Sequence, residues 1–74
     1  MTFKEAYRLM KSGCLVRRRG WGGYWYWDAH KNTIILNCKD GRVLDIRETE
    51  DVDFTLSNIL ADDWEAVNRR DTFG

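Results

Sequence analysis

The chain has 74 residues and a mass of 8.8 kDa, room for one domain whose core alone is marginal without reinforcement. Twelve Lys and Arg balance twelve Asp and Glu, giving a net charge of zero and a pI near 6.5, which excludes a polycation that coats nucleic acid unselectively. Apolar residues at 43% and charged ones at 32% exclude a disordered chain, and aromatics at 14% exceed what so small a core readily hides.

In chain order, Thr2-Phe3-Lys4-Glu5 has the spacing of a capping box, and Phe3, Ala6, Tyr7 and Met10 share one helical face. This predicts a helix over residues 3–12, with Gly13 as its left-handed cap. The period then changes to two. Cys14 to Arg18 predicts a strand that leads into the loop Arg19-Gly20-Trp21-Gly22-Gly23. Tyr24-Trp25-Tyr26-Trp27 has strong strand propensity, and Thr33 to Cys38 predicts another strand. Asp40-Gly41 signals a hairpin turn, after which Arg42 to Arg47 returns beside its neighbour. Residues 48–53 read as an acidic loop, Thr55 as the cap of a helical turn over Leu56 to Ala61, and Trp64 to Val67 as a closing strand. The expected class is α+β: one N-terminal helix packed on a small, mostly antiparallel sheet, a single domain over 1–74 with residues 68–74 as a frayed tail.

No run approaches the eighteen apolar residues of a membrane span, and residues 1–12 lack the apolar stretch of a signal peptide. Cys14 and Cys38 are therefore expected as buried, reduced thiols in a cytosol. His30 is the single histidine, with no CxxC or HxxxH spacing, so neither a metal nor another cofactor is expected. Nor does His30 have a nucleophile beside it, and Asp62-Asp63 precede Trp64 in what reads as a structural turn. The residue types point to a binder, not an enzyme.

Charge is unevenly placed. Residues 1–31 hold seven basic and two acidic residues, and residues 40–65 hold two basic and nine acidic. Arg17, Arg18 and Arg19 are candidates for an anion site, because guanidinium forks suit phosphate. Alternation along a strand puts Arg17 on the face of Leu15 and Arg18 on the face of Cys14 and Val16, so one arginine shares an apolar face and needs a partner there. The same alternation separates Tyr24 and Tyr26 from Trp25 and Trp27, leaving one pair outside a monomer's core as a subunit seam or a stacking platform. Trp21, held in a glycine loop, is free of a strand's packing demands and is the first candidate to stack on a base. Trp64 is assigned to the core.

The ordered set Phe3-x-Glu5-Ala6, Gly13, Val16-x-Arg18-x-Gly20-Trp21, an aromatic strand and Ile59-Leu60-Ala61-Asp62-Asp63-Trp64-Glu65 resembles a family of small phage proteins, the second type of Thoeris anti-defence protein. The resemblance runs from Phe3 to about Val67. This chain departs from longer members in its short stretch between Trp27 and Asp53 and in its heavier Tyr-Trp-Tyr-Trp run. The resemblance implies a sponge in the host cytoplasm that sequesters cyclic ADP-ribose isomers, and in some members cyclic di- or trinucleotides, without cleaving them. It also implies homotetramers with pockets between subunits, and it favours Arg18, three residues before Trp21, as the phosphate contact. Arg17, Trp25, Trp27 and Tyr24 complete the candidate ligand-binding set. Two other readings stand beside this one: a single-stranded nucleic-acid-binding module, which the acidic second half disfavours, and a structural oligomer whose aromatics are all interface.

Overall fold

The computed structural model describes residues 1–67, so the tail at 68–74 lies outside the described residues. Helix α1 spans Phe3–Lys11 and opens on the capping box: Thr2 accepts from the Glu5 amide, and the Glu5 carboxylate accepts from the Thr2 amide at 3.1 Å. It closes where Gly13 takes φ +105°, a conformation that costs glycine nothing. Gly13 N then donates to Met10 O and Cys14 N to Leu9 O, both at 2.9 Å, which satisfies carbonyls the last turn leaves open.

Five strands follow: β1 Leu15–Arg18, β2 Tyr24–Asp28, β3 Thr33–Asn37, β4 Val43–Asp45 and β5 Trp64–Val67. They form one antiparallel sheet in the order β4-β3-β2-β1-β5, so the α+β class with an N-terminal helix on the sheet is confirmed. Register decides which aromatics face the helix. Val16 lies opposite Trp25, Trp25 opposite Leu36, and Trp27 opposite Ile34, so these side chains share one face.

Ala6 and Met10 of α1 bury themselves against that face, with Phe3 edge-on to Trp64 at 5.2 Å between ring centroids. Tyr7 sits at the flank, more than a third exposed, and meets Trp27 edge-on at 6.1 Å. Trp64 occupies the core at 2% exposure, and its indole Nε1 donates to the Asn58 carbonyl at 2.9 Å. Truncating a buried tryptophan costs roughly 3–5 kcal/mol. A domain of this length has on the order of 4–11 kcal/mol in all, so Trp64 alone accounts for a large share of what holds the fold.

Three expectations change. β4 stops at Asp45, not Arg47, because Asp45, still paired with Ile35 in the ladder, also caps a 3-10 turn over Ile46–Glu48. Its carboxylate is nearly buried and fully occupied: it accepts from the Arg47 amide at 2.9 Å, the Arg47 guanidinium at 2.7 Å and the Thr33 hydroxyl at 2.9 Å. These donors, the guanidinium first, hold the Asp45 carboxyl far below its ordinary range. The second helix, α2, spans Val52–Ile59 and begins well before Leu56. Its cap is Asp51, which accepts from the Phe54 amide at 2.9 Å, while the Thr55 hydroxyl donates to the Asp51 carbonyl. Cys14 and Cys38 are free thiols but half-exposed, not buried, since both stand just outside strand ends.

Candidate functional site

α1 covers β1, β2 and β5, but not the β3–β4 end of the same sheet face. There the chain from the 3-10 turn into α2 and the sheet together line a half-open cavity of about 940 Å³. That volume lies within the range of small-molecule sites. Trp25, Leu36 and Leu44 form its floor, and Trp21 with Gly20, Gly22 and Gly23 forms one wall. The β3–β4 turn, with Lys39, Asp40 and Arg42, makes the second wall, and residues 48–51 with Phe54 and Thr55 make the third.

The two walls made by the glycine loop and the turn touch directly. A Cβ on Gly23 would collide with the carbonyl oxygen of Asn37, and one on Gly22 would lie 3.0 Å from Lys39 Cγ. With side chains at both positions the turn could not seat this close. Trp21 is held in place by Arg18, whose carbonyl accepts its amide at 3.1 Å, and by rings on two sides: Trp64 at 5.3 Å edge-on and Trp25 at 5.7 Å. It remains half-exposed. A large ring thus lies open to the cavity on one side and fixed by packing on the other.

The sequence candidates fall into two groups. Trp21 and Trp25 line the cavity, although Trp25 is 4% exposed and serves as floor and core together. Arg17, Arg18, Trp27 and Tyr24 do not line it. Arg18 shares the apolar face and has the partner such a position demands: its Nε donates to Asp63 at 2.7 Å and its Nη1 to Asn58 at 2.8 Å. The hydrogen bond with Asp63 raises the Arg18 pKa and lowers that of Asp63. Because Asn58 is 2% exposed and lies on α2, this guanidinium ties β1 to both the 62–63 turn and the second helix.

Arg17, on the opposite face, pairs across the strands with Glu65 at 3.0 Å and reaches the Trp21 carbonyl at 3.3 Å. Arg19 is exposed. Trp27 stacks under Lys11, whose Nζ stands 4.0 Å from its ring, at the α1 end of the face. Tyr24 lies on the face turned away from α1, beside Tyr26, 6.3 Å away. The aromatic pair outside the helix-covered core is therefore the tyrosines.

Sequence reasoning did not single out Leu36, Leu44, Lys39, Arg42 or Phe54. They are scattered over β3, β4, the turn between them and α2, and the sequence marks that region only by the hairpin signal Asp40-Gly41. Charge on the rim is mixed. Arg42 is neutralised by Asp40, which accepts from its amide at 3.1 Å and its Nε at 2.8 Å, and the amide bond chiefly lowers the Asp40 pKa. Glu48, Glu50 and Asp51 make the α2 side acidic. Among the described residues, no three His, Cys, Asp or Glu converge as metal donors.

A helix-covered antiparallel sheet with an aromatic-walled cavity beside its β3–β4 end is a small α+β domain with a recess sized for one small molecule. The chain belongs to the Thoeris anti-defense 2-like (Tad2-like) domain family, whose model matches residues 1–67. Its role is accordingly in countering Thoeris defence, and its partners in general are the signalling molecules of that system. No curated protein matches the chain.

Proposed function

We propose that the protein is a phage sponge that binds and sequesters a nucleotide-derived Thoeris signal, a cyclic ADP-ribose isomer, in the cavity beside Trp21, with cyclic di- or trinucleotides as a second ligand class. The observation that carries this reading is the cavity itself: an indole wall, an apolar floor and a charged rim suit a molecule with a planar base and phosphates. The acidic α2 side of the rim favours a compact ligand over a long polyanion, which disfavours the nucleic-acid reading. Engagement of Arg17 and Arg18 with Glu65 and Asp63 disfavours it further.

Sequestration leaves the ligand intact, so the protein is not an enzyme, and it acts in the host cytoplasm where the signal is made. It acts as a homo-oligomer, a tetramer in the family's pattern. Supporting this, α2 and its C-cap expose Val52, Leu56 and Leu60 at spacings of four residues, and a 74-residue domain gains stability from covering such a stripe. The test is a calorimetric panel of cyclic ADP-ribose isomers, cyclic dinucleotides and short oligonucleotides, with sedimentation equilibrium in parallel. Heating the loaded complex should release a compound of unchanged mass from an assembly that is a multiple of 8.8 kDa. Recovery of a hydrolysed product, or binding of oligonucleotides alone, would overturn the reading.

A further inference from the structure

The geometry points to Lys39 as the residue that holds the phosphate end of a ligand in this cavity, with Gly22 providing the space its stem occupies. The inference rests on the sequestering role proposed above. Of the two cations that line the cavity, Arg42 already has a counter-charge in Asp40, 2.8 Å away. Lys39 forms no ion pair and no side-chain hydrogen bond among the described residues. Its Cβ, Cγ and Cδ lie across Gly22, where an added Cβ would meet them at 3.5, 3.0 and 3.2 Å. The aliphatic stem is thus laid against the loop that carries Trp21, which leaves the ammonium as the uncommitted end of a flexible arm.

Position sharpens the assignment. The acidic residues Glu48, Glu50 and Asp51 line the cavity from the α2 side and not from the turn, so a phosphate is repelled from the α2 side and drawn to the turn. A base stacked on Trp21 then has a cation next to its own wall, because the glycine loop and the Lys39 turn are in contact. A point charge with three rotatable donors suits a pyrophosphate, whose orientation varies with ring linkage, better than a fixed fork does. The arginines at positions 17 and 18 that the sequence suggests for this task are both engaged elsewhere.

The experiment measures binding of cyclic ADP-ribose isomers to the wild-type protein and to Lys39→Met, Lys39→Arg and Gly22→Ala, each at 50 mM and 300 mM salt. Lys39 is exposed, so Lys39→Met should melt with the wild type. It should bind about ten- to a hundredfold more weakly and lose most of its salt dependence. Lys39→Arg should recover most of the affinity, and Gly22→Ala should show a smaller loss because the stem can shift by a few tenths of an ångström. If the wild type binds and Lys39→Met binds equally well with the same salt slope, Lys39 is not the phosphate contact and the sponge reading stands. If the wild type takes up none of these isomers and no cyclic dinucleotide, both fall together.

Discussion

Replacing Trp21 with alanine separates a ligand wall from a piece of scaffold, because the two roles have different magnitudes. The indole packs on Trp64 at 5.3 Å and Trp25 at 5.7 Å while one side stays open. Full burial would make truncation cost roughly 3–5 kcal/mol, and half-burial reduces that to about 2 kcal/mol. In a domain of this size each kcal/mol moves Tm by about 4–8 °C, so Trp21→Ala should melt on the order of 10 °C lower yet remain folded at 15 °C. Loss of a stacking ring costs roughly 1–3 kcal/mol of affinity, a fivefold to a few-hundredfold weakening. Calorimetry at 15 °C with cyclic ADP-ribose isomers, on samples whose folded state is checked by circular dichroism, reads both effects. Trp21→Phe keeps the packing and should restore Tm before it restores affinity. Unchanged affinity in a folded Trp21→Ala protein would refute the stacking wall and leave Trp21 as scaffold.

Arg18→Met should act on the fold before it acts on the ligand: it releases Asp63 and Asn58, and Tm should fall by about 5 °C with affinity measured at low temperature little changed. A selective loss of phosphate-bearing ligands at wild-type stability would instead give Arg18 a direct contact. Acid should also unfold the protein in a defined window. Asp40, Asp45 and Asp63 all have native carboxyl pKa values below the ordinary 3.8, so the unfolded chain takes up protons first as pH falls. Their stabilisation is complete above about pH 5, and Tm should decline progressively from pH 4 to pH 2. Asp45→Asn should flatten that decline, and an unchanged slope would remove the Asp45–Arg47–Thr33 cluster from the account.

Sequence by itself determined the parts of this protein whose physics is local. A capping box and a glycine cap act within one turn, so α1 was legible to within a residue at Lys11. Alternation is a property of a single strand, so Tyr24 and Tyr26 were separable from Trp25 and Trp27 before any partner strand was known. The Asp40-Gly41 turn carried its own hairpin, and an arginine on an apolar face announced that it needed a partner. Where α2 begins was not legible: Asp51 and Asp53 in an acidic stretch look like solvated loop until the Phe54 amide is seen to need an acceptor.

Only tertiary structure decided which face was covered and where the cavity lies. Arg18 meets Asp63 and Asn58 across 45 and 40 residues of chain, and nothing near position 18 identifies either. The cavity is assembled from a glycine loop, a hairpin turn and a helix start that are distant in sequence. It exists because α1 is too short to cover all of the sheet and α2 is tied at its far end through Asn58 to Arg18 and Trp64. Local preferences specify elements, whereas the gap between elements depends on how each is anchored to all the others.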